Sequence, residues 1–224
     1  MPDAGQVREM FGEIAGRYDA LNRILSLGSD RSWRSRTCDI LAVRQGERAA
    51  DLCCGTGDLA LDLARRGARV VAADFSRPML DRALDKGAAG LVEADALALP
   101  FAEGSFDLVT MAFGFRNLAD RERGLSEIRR VLRPGGRLGI LEFAMPRSAI
   151  FRRIYLPYLR RMVPAVGAII SGRRGAYHYL ASSIQAFPEQ SQMTQSLGRA
   201  GFDRARHHDF FFGIAALYVA HRPS

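Results

Sequence analysis

Residues 49–58 read Ala49-Ala50-Asp51-Leu52-Cys53-Cys54-Gly55-Thr56-Gly57-Asp58. This stretch is a short apolar run that ends in a Gly-x-Gly turn, and apolar residues at helical spacing follow it. A second apolar run, residues 70–73, then ends at Asp74. A strand, a glycine turn, a helix and a second strand with a terminal acid together predict a nucleoside-cofactor site at the carboxyl edge of a parallel sheet.

The residues of the turn distinguish between two kinds of cofactor. A dinucleotide fingerprint has a third glycine, whereas Gly55-Thr56-Gly57 is followed by Asp58 and then by no glycine. An aspartate repels a pyrophosphate, but it attracts S-adenosylmethionine, which carries a sulfonium and an ammonium and no phosphate. The turn therefore favours a methyltransferase over a dehydrogenase, although a glycine turn alone is also typical of an ordinary strand–helix connection.

The same strands and turns supply the candidate residues for the ribose and methionine parts of the cofactor. We expect Gly55, Thr56 and Gly57 to contact the methionine end, because backbone without a Cβ atom can approach a ligand closely. Asp51 either pairs with the methionine ammonium or caps the turn. Asp74 is placed to accept hydrogen bonds from the ribose hydroxyls.

The candidates for the adenine follow the third predicted strand. The Asp95 carboxylate can accept a hydrogen bond from the adenine amino group, and the backbone N–H of Ala96 can donate one to the ring. A plain turn aspartate is the alternative. Phe75 and Phe101 either enclose the adenine between their rings or belong to the core.

Length and composition limit the class of protein. A chain of 224 residues with 48% hydrophobic content suits one domain with a full core. Its longest apolar run, residues 210–220, is shorter than the roughly 20 residues of a membrane span. The N-terminal residues lack the pattern of a signal or transit peptide, so we expect a cytoplasmic protein. Three cysteines are too few for a disulfide framework, and no cluster has metal-ligand spacing, so no metal is expected.

Predicted strands and helices alternate along the middle of the chain. The first five strands are predicted near residues 49–53, 69–74, 91–94, 106–112 and 138–143. Arg133-Pro134-Gly135-Gly136 is predicted to stop the helix that precedes the fifth strand. Alternation predicts a doubly wound α/β fold, and residues 204–220 predict a terminal antiparallel hairpin. We therefore expect a mostly parallel, seven-stranded, Rossmann-like sheet.

The chain is predicted to form a single domain of four parts. These are an N-terminal helical lid (1–45), a cofactor-binding core (46–144), a helical cap for substrate or membrane (145–185), and a C-terminal helix with the hairpin (186–224).

Several motifs resemble one known family. They are Tyr18-Asp19-x-x-Asn22, Arg31-x-Trp33-Arg34, Phe113-Gly114-x-Arg116-Asn117, Arg133-Pro134-Gly135-Gly136 and Tyr177-x-Tyr179-Leu180. In these motifs the chain resembles the demethylmenaquinone and ubiquinone C-methyltransferases of quinone biosynthesis, from about Val7 to Arg222. The resemblance implies a class I S-adenosylmethionine-dependent fold. It also implies methyl transfer to a ring carbon of a reduced polyprenylated quinone, which is demethylmenaquinol, the benzoquinol precursor of ubiquinone, or both.

The chemistry implied by the resemblance requires a stabilised quinol anion, because a quinol hydroxyl titrates near tyrosine, at about 10. Arg116 is the candidate cation, with a salt bridge to a helix acid as its alternative role. Asn117 either orients the quinol oxygen or caps the next helix. His178, Tyr177 and Asp19 are unranked candidates for the base.

Tyr18 and Asp19 are also expected to belong to the lid over the cofactor. The lid is the N-terminal part of the predicted domain, and the motif that carries both residues precedes the glycine turn.

The net charge of +8 is almost entirely arginine and is concentrated in residues 147–175. A helical apolar stripe runs through this segment at Phe151, Ile154, Tyr155, Tyr158, Leu159 and Met162, and Pro157 is expected to kink the helix. Such a basic amphipathic helix can lie on an anionic membrane surface, at the inner face of a bacterial cytoplasmic membrane. The alternatives are packing on the protein's own core or on a partner subunit, which leaves a homodimer open.

Two further classes of protein remain as alternatives. An RNA methyltransferase would suit the positive charge, but the basic segment lacks the aromatic-interleaved strands of a base-stacking surface, so no nucleic-acid partner is expected. A catalytically silent subunit that only binds the cofactor is the other alternative.

Overall fold

The computed structural model describes residues 5, 9, 12, 15–26, 28–162 and 174–224, apart from the side chains of Arg17, Tyr18, Leu21, Ile24, Leu25 and residues 174–178. Most of residues 1–14 of the predicted lid and residues 163–173 of the predicted cap lie outside the described residues. The division into lid, core, cap and C-terminal part stays a prediction.

The order of elements alternates between strands and helices through the middle of the chain. The helices are α1 (Tyr18–Leu25), α2 (Asp30–Ile40), α3 (Asp58–Arg65), α4 (Arg77–Asp85), α5 (Arg121–Val131), α6 (Ala149–Pro157), α7 (Arg174–Gln185) and α8 (Gln190–Arg199). The strands are β1 (Arg48–Leu52), β2 (Arg69–Asp74), β3 (Leu91–Glu93), β4 (Phe106–Ala112), β5 (Leu132–Phe143), β6 (Asp203–Phe210) and β7 (Ala215–His221). A π-helical turn, Tyr158–Met162, continues α6 beyond Pro157.

The seven strands form one sheet in the order β3-β2-β1-β4-β5-β7-β6. The first five strands pair in parallel, and β7 pairs antiparallel with both β5 and β6. The expected mostly parallel sheet with a terminal antiparallel hairpin is therefore confirmed. The strand order reverses between β1 and β4, which is where open α/β sheets bind their ligands.

Two apolar layers cover the two faces of the sheet. One contains buried side chains of α2, α3, α6 and α7, including Trp33, Leu63 and Tyr155. The other contains side chains of α5 and α8, including Ile128 and Leu197. Because successive strand residues point to opposite faces, the two layers take alternate residues of the central strands.

The fifth strand begins earlier than the sequence predicts. It starts at Leu132, next to Phe106, and the register with β4 shifts before Arg137 pairs with Leu108. Helix α5 ends at Val131, just before Arg133–Gly136 as predicted, but these four residues form a bulge inside β5 instead of a turn ahead of it. Gly135 has a φ of +71°, which glycine adopts without strain, and its N–H donates to the carbonyl of Arg222.

No helix in the described part of the chain has the length and apolar character that a membrane crossing requires.

Candidate active site

A cleft lies at the carboxyl ends of the strands where their order reverses. Residues that follow β1, β2, β3 and β4 line it. Among them are these residues expected from the sequence: Gly55, Asp74, Phe75, Asp95, Ala96 and Asn117. The fold thus brings together residues that are far apart in the chain.

Asp74 is buried at the end of β2, where its carboxylate links two turns. Its Oδ2 accepts a hydrogen bond from the N–H of Gly55 at 2.9 Å, and its Oδ1 accepts one from the N–H of Ser76 at 2.9 Å. Burial raises the pKa of Asp74. Because each carboxylate oxygen has a second lone pair, Asp74 can still accept hydrogen bonds from a ligand in the cleft.

Asp51 lines a second, smaller cavity, which shares Cys53 with the cleft. Thr110 Oγ1 donates to Asp51 Oδ1 at 2.8 Å. The other carboxylate oxygen, Oδ2, is buried and has no hydrogen-bond partner among the described residues. Burial raises the pKa of Asp51 to about 7. A buried carboxylate oxygen without a partner is suited to a cationic donor, because leaving such an atom unpaired is costly.

Arg34 lines the same small cavity, although no sequence reasoning had placed it at the site. Its Nη1 lies 2.6 Å from Asp30 Oδ2 and 3.3 Å from Asp58 Oδ2, and its guanidinium carbon lies 5.6 Å from the centre of the Phe113 ring. The spacing of Asp30 and Arg34 on one helix could have suggested an ion pair. The sequence around Asp30 and Arg34 does not indicate that this ion pair packs against the glycine turn.

Lys86 connects the predicted lid to the glycine turn. Its Nζ lies 2.5 Å from Asp19 Oδ2 and 2.7 Å from Asp58 Oδ1, and it donates to Thr56 Oγ1 at 2.8 Å. Thr56 Oγ1 in turn donates to Asp19 Oδ1 at 2.6 Å. Burial raises the pKa of Asp19, but the hydrogen bonds from Lys86 and Thr56 outweigh it and leave this pKa below its usual value. Asp19 is therefore held in an ion-pair cluster, and its role as a base stays a prediction.

Gly57 makes a packing contact that the sequence did not indicate, and its expected contact with the methionine end stays a prediction. A Cβ atom on Gly57 would lie 3.0 Å from the Cβ of Ala83 and 3.2 Å from the Cβ of Ala88. The glycine therefore lets α3 start close to the α4 region, and it lies outside the lining of both cavities. Phe101 packs edge-on against Phe106, also away from the lining of the cleft.

Two non-glycine residues with left-handed backbone meet at the floor of the cleft. Cys53 has a φ of +50° and Phe113 a φ of +59°, and both line the cleft. A Cβ atom on Gly114 would lie 2.5 Å from the Cβ of Cys53, so only glycine fits there. Strained backbone of this kind is concentrated at functional sites, and here it keeps the ends of β1 and β4 in close contact.

Arg116 is buried beside the cleft instead of lining it. Its Nη1 donates to Glu142 Oε1 at 2.5 Å and to the carbonyl oxygen of Phe113 at 2.5 Å. Its backbone N–H lies 3.2 Å from Glu142 Oε2. Its Nε is buried and has no hydrogen-bond partner in the part of the chain that the structure describes. The partner acid thus comes from a strand and not from a helix, and the expected role of Arg116 in stabilising an anion stays a prediction.

The Asn117 side chain lines the cleft and is hydrogen-bonded to a residue of the predicted cap. Tyr179 Oη on α7 donates to Asn117 Oδ1 at 3.1 Å, and Asn117 Nδ2 lies 3.4 Å from the carbonyl oxygen of Phe113. Burial raises the pKa of Tyr179, so its hydroxyl stays protonated at neutral pH. The sequence motif contained Tyr179 but gave it no role, because the contact joins residues 62 positions apart.

Three expected site residues cannot be placed by their side chains. Tyr18 lies on α1, and Tyr177 and His178 lie on α7, but all three side chains lie outside the described residues.

Comparison with known proteins identifies the family. Residues 2–222 match the ubiE/COQ5 methyltransferase family. The chain belongs to that family. A demethylmenaquinone methyltransferase of Thermus thermophilus is 51% identical to this chain over 96% of it and 100% of the relative. The ubiquinone/menaquinone biosynthesis C-methyltransferase UbiE of Geobacter sulfurreducens is 44% identical over 97% of this chain and 88% of the relative.

A solved structure supports the fold assignment. The crystal structure of an S-adenosylmethionine-dependent methyltransferase from Thermotoga maritima has a TM-score of 0.69 and 17% identity, and covers 96% of this chain and 99% of that one. Together with membership of the ubiE/COQ5 family, this confirms the expected methyltransferase fold, the enzyme class and S-adenosylmethionine as the cofactor. The unpartnered oxygen of Asp51 and the cleft-lining carboxylate of Asp74 fit its ammonium and ribose.

Proposed function

We propose that this protein methylates a ring carbon of demethylmenaquinol, with S-adenosylmethionine as the methyl donor. The observation that carries the proposal is the 51% identity, over nearly the whole of both chains, to a demethylmenaquinone methyltransferase. The lining of the cleft agrees with an aromatic substrate, because apolar residues such as Phe113 and Leu118 surround a few polar groups.

The proposed cofactor contacts follow from where each polar group lies. Asp51 Oδ2 holds the methionine ammonium, Asp74 holds the ribose hydroxyls, and Asp95 with Ala96 holds the adenine beside Phe75. Gly55 and Thr56 provide the turn around the methionine end. Arg34 lines the same small cavity as Asp51 and is suited to the methionine carboxylate, because a guanidinium pairs well with a carboxylate. When bound, S-adenosylmethionine supplies an electrophilic methyl group.

The residues of this chain have to prepare the quinol for attack. Loss of the hydroxyl proton makes the ring carbon nucleophilic, since phenolate charge spreads into the ring. We propose that Asn117 binds the quinol oxygen in the cleft and that Tyr179 fixes the orientation of the Asn117 amide. Arg116 precedes Asn117 in the chain. The part of its positive charge that Glu142 does not neutralise stabilises the quinol anion.

The proton acceptor remains one of the residues named from the sequence. His178 and Tyr177 lie on the helix that also carries Tyr179, and Asp19 lies beside the glycine turn. The lowered pKa of Asp19 makes it a weak base at neutral pH. We therefore propose His178 or Tyr177 of α7 as the proton acceptor.

A benzoquinol precursor of ubiquinone is the second candidate substrate. It is favoured by the 44% identity to a relative named for both ubiquinone and menaquinone biosynthesis. The deciding experiment offers labelled S-adenosylmethionine to the purified protein with reduced demethylmenaquinone, with the reduced benzoquinone precursor and with bulk RNA. The proposal requires label in the naphthoquinol, and label in RNA alone or in no acceptor would overturn it.

A lipid substrate suggests where the protein works. Extracting a polyprenyl tail from a bilayer costs about 0.8 kcal/mol for each CH₂ group, so the enzyme has to meet its substrate at the membrane. We therefore propose a cytoplasmic protein that binds peripherally to the anionic inner face of the membrane through residues 147–175. A homodimer is a further proposal, which light scattering in solution tests.

A further inference from the structure

Six of the seven exposed large apolar side chains of the described residues collect in one region. The seven are Leu84, Ile150, Phe151, Ile154, Met162, Phe211 and Phe212. All except Leu84 belong either to α6 and the π-helical turn after it or to the tip of the β6–β7 hairpin. The rings of Phe151 and Phe212 stack at 4.3 Å between centroids, which joins the two segments into one surface. We name these six residues, without Leu84, the apolar patch.

The predicted apolar stripe of α6 is divided between the core and this surface. Tyr155 and Leu159 are buried in the apolar layer on one face of the sheet. Three other residues of the stripe are exposed: Phe151 at 39%, Ile154 at 68% and Met162 at 57%. Packing on the protein's own core therefore accounts for only half of the stripe.

The hairpin tip presents its aromatic rings in a strained conformation. Phe211 has a φ of +42° and Phe212 a φ of +57°, a region that bulky residues rarely occupy. The two side chains are nevertheless 46% and 62% exposed. Strain and exposure both cost folding free energy, so the arrangement indicates that the rings contact something outside the chain.

The apolar patch lies at the same edge of the sheet as the cofactor cleft. Ala215 begins β7 opposite Phe143, the last residue of β5, so the hairpin tip projects from the carboxyl edge. Between the patch and the cleft, the buried side of α6 contributes Tyr155 to the apolar layer that also contains Phe113, a lining residue of the cleft.

The charge around the apolar patch selects the kind of surface it can meet. No Asp or Glu occurs between Glu142 and Glu189, whereas seven arginines do. Arg147, Arg153 and Arg161 are exposed. A second copy of this chain would bring the same positive charges against them, but an anionic lipid headgroup layer would attract them.

We propose that the apolar patch docks on an anionic lipid bilayer, with Phe211 and Phe212 inserted below the headgroups and the arginines of residues 147–161 on the phosphates. This surface deepens the proposed function, on which it rests. It adds to residues 147–175 the hairpin tip at Phe211 and Phe212. The docked orientation points the carboxyl edge, with its cleft, toward the membrane that holds the quinol.

Sedimentation with vesicles tests the apolar patch directly. The full chain is mixed with vesicles of phosphatidylglycerol and phosphatidylcholine in equal parts, or of phosphatidylcholine alone. We expect Phe211→Ser with Phe212→Ser to lower the partition coefficient at least about tenfold on anionic vesicles. Arg153→Gln with Arg161→Gln should lower it by about fivefold for each arginine on anionic vesicles only. Leu84→Ser is the matched control, since Leu84 is 61% exposed on α4, beside the other end of the sheet.

A fluorescence measurement supports the test without removing any apolar surface. Trp33 is buried, so a Phe212→Trp variant adds one exposed indole, whose emission should shift to the blue when anionic vesicles are added. No shift, or unchanged binding of the Phe211→Ser, Phe212→Ser variant, overturns the proposal. A dimer that dissociates on the same substitutions also overturns it, because the patch would then be a contact between copies.

The outcomes separate the docking surface from the proposed function. Turnover of a short-tailed quinol in buffer should be the same in all these variants as in the unmodified protein. If no quinol is methylated but the vesicle results hold, the proposed substrate is wrong and the docking surface stands.

Discussion

Arg116 and Glu142 form a buried ion pair beside the cofactor cleft, with 2.5 Å between Arg116 Nη1 and Glu142 Oε1. The two residues belong to the 3₁₀ turn after β4 and to the end of β5. Glu142 also accepts the backbone N–H of Arg116. The pair therefore holds the loop that carries Asn117 against the sheet.

Removing the acid of this pair should destabilise the protein strongly. Glu142→Ala leaves a buried guanidinium without its counter-charge, and the expected loss in the free energy of unfolding is about 3–5 kcal/mol. Glu142→Gln keeps an acceptor and should lose less. Urea denaturation measures both, and a loss below about 1 kcal/mol for Glu142→Ala would show that the pair is not structurally important.

Cofactor affinity should depend on pH through Asp51. Its pKa is raised by burial to about 7, and only the ionised carboxylate attracts the methionine ammonium. Affinity should therefore fall as pH decreases below about 7, by up to tenfold per pH unit, and Asp51→Asn should abolish this dependence. Calorimetric titration of S-adenosylmethionine between pH 5.5 and pH 8 measures it, and an unchanged pH profile in Asp51→Asn contradicts the assignment.

The same substitution should stabilise the protein in the absence of cofactor. A carboxyl group whose folded-state pKa is raised contributes stability below its unfolded-state pKa, and this contribution is lost as pH rises through the folded-state value. At pH 8 the ionised Asp51 therefore weakens the fold. Asp51→Asn should have a higher melting temperature at pH 8 than the unmodified protein, with a smaller difference at pH 4.

Tyr179 should act as a positioning residue for Asn117. Tyr179→Phe removes the hydrogen bond to Asn117 Oδ1, and we expect kcat to fall about tenfold, equivalent to one hydrogen bond, while cofactor affinity stays the same. Tyr218→Phe is the control, because the buried Tyr218 hydroxyl has no hydrogen-bond partner within residues 15–26, 28–162 and 174–224 as described. Equal kcat values for the Tyr179→Phe and Tyr218→Phe variants would show that Tyr179 does not position Asn117 for catalysis.

Lys86 should hold the N-terminal segment on the glycine turn. Lys86→Ala removes the ion pairs to Asp19 and Asp58, and we expect faster proteolysis of the N-terminal segment and about tenfold weaker cofactor binding. Arg77→Ala, which removes an exposed ion pair to Asp81 on the same helix, should change neither property. Limited trypsin digestion with and without cofactor measures the difference, and equal digestion of both variants contradicts it.

The stabilising contribution of the Asp19–Lys86 ion pair should decrease in acid. The pKa of Asp19 is lowered in the folded protein, so its contribution to stability is present above its unfolded-state pKa and is lost as pH falls through the folded-state value. The N-terminal segment should therefore loosen only in acid, below about pH 4, and Lys86→Ala should remove that transition.

The local sequence was sufficient to place the candidate cofactor residues at one edge of the sheet, and their contacts with the cofactor stay predictions. The glycine turn and the acids Asp51, Asp74 and Asp95 follow strands that are parallel and adjacent, so their common edge follows from the alternation of strands and helices. It was not sufficient for the contacts of Arg34 and Arg116. Each depends on an acid from another element, Asp58 or Glu142, and spacing along the chain carries no information about such pairs.

The sequence by itself determined the element order, the sheet with its hairpin, the cofactor class and the family, because these depend on periodicity, turn chemistry and residues close in the chain. Tertiary structure alone decided the bulge at the start of β5, the unpartnered oxygen of Asp51, and the stacking of Phe151 on Phe212. Each of these arises where segments distant in sequence meet, and packing sets which side chains are buried, paired or left exposed.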